Sequence, residues 1–258
     1  MTADNHKNPD VPVLIVGAGP VGLGLAIDLG HRGVPCMVVE QGDGSFAFPR
    51  ANAVSVRTME LCRHWGIADE VRAESIPPDY PHTALYLTSL AGHEIGRVER
   101  ASHGGGKPSQ FSPERPQRCN QMFFDPVLLR HARTLPQVAL RYNTRFETFS
   151  QGPDRVTARL TDLATGKTDD LSAGYLIACC GGHSCVRDDL GIRLQGLPEE
   201  GTPVHIFFRS EALWNQHEKD KASLHYLMGP EGRWSTLINV NGDDLWSLAV
   251  EIPGRKGE

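Results

Sequence analysis

The sequence predicts an α/β fold in which a Rossmann-like strand, glycine turn and helix are joined to a second region of mainly antiparallel strands. Three observations carry that prediction. Val11 to Val16 is an unbroken apolar run, as a strand buried on both faces requires. It leads into Gly17-Ala-Gly-Pro-Val-Gly22 and then into helical spacing. Beyond Gln195 the pattern changes to short alternating stretches without helical periodicity. With 258 residues the chain has room for one large domain or two small ones.

The glycines are the first element to justify. A pyrophosphate needs a tight turn at Gly17, close backbone approach at Gly19 and helix-on-strand packing at Gly22. The helix N-terminus then offers free N–H groups and a positive dipole end. Val21, Leu25, Ala26 and Leu29 fall at helical spacing, and Gly30 and Gly33 are read as the stop. Cys36 to Glu40 reads as a second buried strand ending in a carboxylate. Glu40 stands 23 positions after Gly17, close to the ~20-residue offset of an acid that accepts from a ribose hydroxyl.

Several classes are excluded early. Val11 to Ile27 carries no charge, but four glycines and Pro20 within it argue against a lipid-facing helix. Met1 to Asp10 has Asp4 and Asp10 against Lys7, which is not the positive leader of an export signal, so the expectation is a cytoplasmic protein. A net charge of −5 and the lack of a Lys/Arg run speak against nucleic acid or an anionic membrane and for a small-molecule partner. The six cysteines form no C-x-x-C pair and are expected to be reduced thiols. His183 with Cys179, Cys180 and Cys185 matches no zinc spacing.

In chain order, a Gly-, Ser- and Pro-containing loop from Gln41 to Pro49 precedes a helix whose face carries Val54, Met59, Cys62 and Trp65, with Gly66 as its C-cap. Arg50 and Arg57 are set beside the expected ligand edge, with a solvated surface charge as the plainer reading of either. Ala84 to Leu90 and His93 to Val98 read as strands joined at Ala91-Gly92, and Ala101 to Pro108 as a flexible linker, with a lid over a substrate pocket as the alternative. Asp125-Pro126 reads as an N-cap and first-turn proline, with Gln121 just ahead of the helix as a side-chain amide for a ligand or for the helix entry. Strands are expected at Val138 to Tyr142, Arg145 to Ser150, Val156 to Thr161, Lys167 to Leu171 and Tyr175 to Cys179, the last one buried. Gly181 and Gly182 then turn the chain, and Ser184 caps a short helix bearing Val186 and Arg187. Strands at Val204 to Phe208, Ser223 to Met228, Trp234 to Val240 and Leu245 to Ile252 follow, with Asn241-Gly242 as a two-residue hairpin signal.

Taken in order, Gly17-Ala-Gly-Pro-Val-Gly22, Glu40, Pro49-Arg-Ala51, Arg57-Thr-Met-Glu60, Gln121 with Phe124-Asp-Pro126, and Tyr175 to Arg187 resemble the FAD-dependent aromatic hydroxylases. These are the class A flavoprotein monooxygenases typified by p-hydroxybenzoate hydroxylase and phenol hydroxylase, and the resemblance covers nearly the whole chain. It implies a GR2-type, Rossmann-like FAD-binding domain over residues 1–80 and 110–200, with a substrate-domain sheet over 81–109 and 201–258. It implies that Gly17, Gly19, Pro20, Val21, Gly22, Glu40 and Gln41 hold the ADP half of FAD, and that Arg50, Gln121, Cys180 and Gly181 approach the cofactor from neighbouring segments. NADH or NADPH would reduce the flavin, and one atom of O2 would pass to a phenolic or polycyclic aromatic substrate.

Two departures stand out. Where the family carries Asp-Gly-x-x-Ser-x-Val-Arg, this chain has Cys180-Gly-Gly-His-Ser-Cys-Val-Arg187, so a thiol replaces the carboxylate. The family's later Gly-Asp-Ala-Ala-His segment has no counterpart, and Gly242-Asp243 reads as a hairpin turn, so the chain resembles the N-terminal part of such an enzyme. The alternative reading is a flavin-binding module without hydroxylase activity of its own, completed by a second polypeptide or another copy. An NAD-dependent dehydrogenase fits the glycines alone. No catalytic base is assigned; His205 and His225 are candidates, with ordinary surface or buried histidines the plainer reading.

Overall fold

The computed structural model describes residues 8–46, 48–99, 110–196, 203–216 and 219–252. The expected linker from Ala101 to Pro108 lies outside them. Two compact units divide the chain, one over 1–46 and 125–195, the other over 47–124 and 196–258. The elements in chain order are β1 (Val11–Val16), α1 (Pro20–His31), β2 (Cys36–Val39), α2 (Val56–His64), α3 (Ala68–Ala73), β3 (Thr83–Leu87), β4 (Glu94–Glu99), α4 (Gln121–Ala132), β5 (Val138–Arg141), β6 (Thr144–Gln151), β7 (Val156–Asp162), β8 (Thr168–Ala178), α5 (Cys185–Asp189), β9 (Val204–Arg209), β10 (Leu224–Gly229), β11 (Gly232–Asn239) and β12 (Leu245–Val250).

The first unit is built on a six-stranded sheet ordered β5-β2-β1-β8-β7-β6. Its first four strands are parallel, with Val16 paired to Val39 and to Ala178, and Val39 to Arg141. Val13 to Val16 are buried throughout, which is why the run shows no alternation. Leu14 and Val16 join Val39, Phe146, Leu160 and Val186 in one apolar cluster. The segments expected as Lys167 to Leu171 and Tyr175 to Cys179 are one continuous strand, β8, antiparallel to β7 in its first half and parallel to β1 in its second. That second half is not buried as expected: Tyr175 is 71% and Ile177 38% exposed on one face.

Two helices differ from their sequence reading. In α1 the buried face is Leu23, Ala26, Ile27 and Gly30, while Val21 is exposed. Gly30 lies inside the helix because a Cβ there would stand 2.9 Å from Leu135 and 3.0 Å from Val138; Gly33, at φ +72°, follows the C-cap. α4 starts at Gln121, not after Asp125, because the Asn120 side chain accepts the Met122 N–H at 3.0 Å and supplies the cap. Pro126 therefore sits within the helix, not in its first turn.

The second unit carries a six-stranded sheet ordered β4-β3-β10-β11-β12-β9. It is mixed: all pairs are antiparallel except β3 with β10. The tight connection is Pro230-Glu231 between paired Gly229 and Gly232, while Asn241-Gly242 sits in a longer loop whose Asn241 Oδ1 accepts the Asp243 and Leu245 N–H groups. A 3-10 turn at Leu213–Gln216 interrupts what the pattern predicts as strands alone. On the α2 face, Met59, Cys62 and Trp65 are buried as expected; Val54 is buried but lies ahead of the helix, bridged to Gln117, because Ser55 caps the helix through the Thr58 N–H.

Candidate functional site

Four parallel strands of the first unit end on one row, Ala178, Val16, Val39 and Arg141, so the residues that follow them, Cys179, Gly17, Glu40 and Tyr142, share one sheet edge. In open α/β sheets this carboxyl edge is where ligands bind. Gly17 takes φ +105°, donates its N–H to the Val39 carbonyl at 2.8 Å, and leaves no room for a side chain: a Cβ would stand 2.5 Å from the Cys179 carbonyl oxygen. Gly22 is as constrained, since a Cβ would stand 1.9 Å from the Gly17 carbonyl oxygen. Gly19 is different. It caps α1 in an extended conformation, and a Cβ on it would meet no atom within 4 Å. The protein itself demands the first and third glycines; the open side of the second suits a ligand that must approach the backbone.

The start of α1 has no side-chain cap and no acidic residue in its first turn, and Pro20 stands at its first position, so its amides are left for an anion. Glu40 is fastened to the turn: Oε2 accepts the Ala18 N–H at 2.9 Å and Oε1 the Gly42 N–H at 2.8 Å. A carboxylate has about four acceptor sites, so a sugar hydroxyl can still be received. Gln41 beside it is exposed.

Tyr142 is a member of the row that sequence reasoning leaves as a strand end. Its buried Oη has no hydrogen-bond partner among the described residues. Burial pushes the phenol pKa up, with the Glu40 and Asp125 charges adding to it and Arg133 opposing. Its ring lies against Gly44, where a Cβ would stand 3.2 Å from Cε1. Only the pairing of β5 with β2 puts the residue after Arg141 at the ligand edge, and that pairing is not written in any single stretch of the sequence.

On the far side of the row, Cys180 donates its thiol to Ser184 Oγ at 3.0 Å, and the same oxygen caps α5 by accepting the Arg187 N–H at 3.2 Å. Gly181, at φ +78°, has open space around it. The other expected residues belong to the second unit. Arg50 is exposed, and the neighbouring Ala51 carbonyl accepts the Gln121 N–H at 2.8 Å, so the segments of Arg50 and Gln121 are joined. Asn120 Nδ2 adds a 2.7 Å bond to Asn52. His225 is fully buried between Trp214 and Trp246, whereas His205 is exposed. An open groove of about 870 Å³ on this unit is lined by Tyr86, Tyr226, Met228, Arg233 and Glu251, with the two tyrosine rings 5.0 Å apart and Arg233 over Tyr226.

No helix among the described residues is long and apolar enough to cross a membrane. Residues 10–253 match the family model described as FAD binding domain. An aklavinone 12-hydroxylase of Streptomyces purpurascens is 34% identical over 257 residues, covering 96% of this chain and 47% of that protein. A tetracenomycin A2 monooxygenase-dioxygenase of Streptomyces glaucescens is 33% identical over 216 residues, covering 78% and 38%. Among solved structures, the rebeccamycin biosynthetic enzyme RebC with reduced flavin matches with a TM-score of 0.83 at 34% identity, over 96% of this chain and 47% of that one. An aklavinone-11 hydroxylase with FAD and aklavinone matches with a TM-score of 0.84 at 32% identity, over 98% and 48%. This chain therefore spans about half the length of such relatives or less. With nearly every residue inside the family match and the glycine turn, Glu40 and the strand-end row in place, the chain belongs to the FAD binding domain family of class A flavin hydroxylases.

Proposed function

We propose that this chain is the FAD-holding part of an aromatic-ring hydroxylase that uses NADH or NADPH and O2 to hydroxylate a phenolic, polycyclic substrate. The observation that carries the reading is the asymmetry of the glycines: open space at Gly19 between two positions that have none, beside a carboxylate tied to the same turn. Gly17, Gly19, Pro20, Val21 and Gly22 then receive the pyrophosphate with the first-turn amides, Glu40 receives the ribose, and Gln41 flanks it. Tyr142 offers this edge an unused hydroxyl. Arg50, Gln121, Cys180 and Gly181 enter through the family resemblance. When bound, FAD supplies the redox chemistry that activates oxygen; the chain supplies position, polarity and exclusion of water.

The substrate class rests on relatives named for aklavinone and tetracenomycin and is supported by the aromatic lining of the groove at Tyr86 and Tyr226. We assign cofactor binding to residues 1–80 and 110–200, and the substrate sheet to 81–109 and 201–258. Cytoplasmic residence is supported by six free thiols.

The test is the visible spectrum of the purified chain after incubation with FAD and desalting. Stoichiometric bound flavin, bleached by NADH or NADPH, is expected; a colourless protein would overturn the reading. Cys180→Asp restores the family's carboxylate and should tighten FAD binding roughly tenfold, the worth of one hydrogen bond to a charged group. An unchanged affinity would reject a cofactor role for that position. A second reading, a flavin-binding module completed by another polypeptide or a second copy, is favoured by the exposed apolar face of Tyr175 and Ile177 on β8. It predicts bound flavin without hydroxylation until the completing chain is supplied.

A further inference from the structure

β8 leaves the sheet through two adjacent cysteines with different surroundings. Cys179 Cβ faces α1, at 3.3 Å from where a Cβ on Gly22 would lie. Cys180 packs instead on the apolar cluster of Val16, Phe146 and Val186. Gly181 turns the chain, Ser184 opens α5, and the first helical residue, Cys185, comes back onto the same cluster. Cys180 and Cys185 thus pack their side chains on one apolar cluster across a single turn of chain, and both are partly exposed. Cys180 Sγ also stands 3.0 Å from Ser184 Oγ, a hydroxyl that rotates to serve sulfur as acceptor or donor.

We propose that Cys180 and Cys185 form a peroxide-sensitive dithiol that closes to a reversible disulfide at the ligand edge of the first sheet. Hydrogen peroxide is the oxidant. The Cys180 thiolate attacks one peroxide oxygen, the O–O bond breaks, and Cys180 sulfenic acid forms with release of hydroxide. That hydroxide takes the Cys185 proton, the Cys185 sulfur attacks the Cys180 sulfur, and the S–S bond forms as the second hydroxide leaves and gains the Cys180 proton. Two thiols and one peroxide become one disulfide and two waters. The Ser184 hydroxyl 3.0 Å from Cys180 Sγ places Cys180 as the attacking sulfur, and Cys185, whose thiol burial and then the Cys180 neighbour push up, as the resolving one.

The remaining cysteines set the contrast. Cys36, Cys62 and Cys119 are at most 1% exposed, and burial pushes Cys36 and Cys62 to about 11, so they remain thiols. The location gives the disulfide a consequence. The backbone at Cys179 and Cys180 is what a side chain at Gly17 would strike, at 2.5 Å and 3.0 Å, so closure acts on atoms that touch the glycine turn. Any effect on FAD rests on the cofactor reading above, whereas the thiol chemistry does not.

Residues 168–187 form one tryptic peptide holding Cys179, Cys180 and Cys185. The chain is reduced, freed of reductant, treated with stoichiometric hydrogen peroxide, alkylated under denaturing conditions and digested. The expected peptide has lost two hydrogens and is alkylated at Cys179 alone, and dithiothreitol restores three alkylated cysteines. Cys180→Ser and Cys185→Ser should each abolish the protection, and Cys179→Ser should keep it. Three alkylated cysteines after peroxide, a bond that includes Cys179, or sulfinic acid at Cys180 with Cys185 still alkylatable would each overturn the proposal.

Discussion

The two sheets satisfy their polar groups in opposite ways. Along the ligand edge of the first unit the work falls to backbone: Gly17 donates to Val39, and Glu40 receives the amides of Ala18 and Gly42. In the second unit it falls to buried side chains. Ser223, Ser235 and Asn239 are fully buried, Ser223 Oγ donates to the Thr83 carbonyl, Ser235 Oγ to the Ala249 carbonyl, Asn239 Nδ2 to the Asp243 carbonyl, and Arg118 to the Asn239 carbonyl. A site made of backbone leaves its mark as glycine spacing, because only a missing Cβ lets main chains approach so closely. A network of side chains leaves none, because any residue with the right reach can serve. The two regions should therefore fail differently, one through added atoms and the other through removed ones.

The largest loss is expected from removing atoms in the second unit. Trp246 is fully buried, stands 4.6 Å from the Trp214 ring centroid, and donates its indole N–H to the Ser210 carbonyl at 3.1 Å. Trp246→Ala should cost about 3–5 kcal/mol in a denaturant titration, from lost transfer energy, cavity and an orphaned carbonyl. A cost below about 1 kcal/mol would show that this core collapses around the gap.

The matching test in the first unit adds a single methyl group. Gly22→Ala puts a Cβ 1.9 Å from a backbone oxygen that cannot swing aside, and should cost about 3 kcal/mol with loss of FAD retention. Gly19→Ala meets nothing and should change stability by less than about 0.5 kcal/mol while still lowering FAD affinity. If both variants bind FAD like the parent, the cofactor does not approach this turn. If Gly19→Ala alone unfolds the chain, the open side is not open.

The same contrast explains what could be read without coordinates. β1, the glycine turn, β2 and Glu40 were legible because each follows from a backbone constraint repeated at fixed spacing. Helix α1 is legible in place but not in face: Val21, Leu25 and Leu29 fit the apolar period, yet the buried line is that of Gly22, Leu23, Ala26, Ile27 and Gly30, which leaves Val21 pointing away from the sheet. The start of α4 is not legible, because Asp125-Pro126 is the stronger local signal, yet Asn120 wins by accepting the Met122 N–H. Asn241-Gly242 carries a two-residue turn signal, but the side chains of Asn239 and Asn241 organise a longer loop. Tyr142 and the buried surroundings of His225 depend on which strands become neighbours, which no single stretch of sequence states.

A smaller effect is expected at the buried acid of the second unit. The Glu114 side chain is 1% exposed and paired with Arg72 at 2.5 Å and Arg63 at 3.3 Å, whose side chains are 38% and 61% exposed. Glu114→Gln keeps the shape and removes the charge; because both arginines can turn to water, the cost should be about 1–2 kcal/mol, well under that of stranding a buried ion. A loss above about 3 kcal/mol would mean that the arginines are held in place by more than this acid.

The smallest effect separates the two units by salt. Asp162 in the first unit is held below the usual carboxylate range mainly by the Thr165 backbone amide and hydroxyl and the Ala164 amide. Glu94 in the second unit is held low by Arg97, which forks onto both its oxygens at 2.7 and 2.8 Å. Because both folded values lie below the unfolded ones, each contribution to stability is complete above about pH 4.5 and is lost as pH falls through the folded value. Carboxyl titration by NMR at low ionic strength and then at about 0.5 M salt should leave Asp162 nearly unmoved, since its donors are close and uncharged, and bring Glu94 back toward its ordinary value as its ion pair is screened. Equal salt shifts at both carboxyls would mean that Asp162 is set by Arg141, the smallest of these influences, and that the backbone does not govern this end of the first sheet.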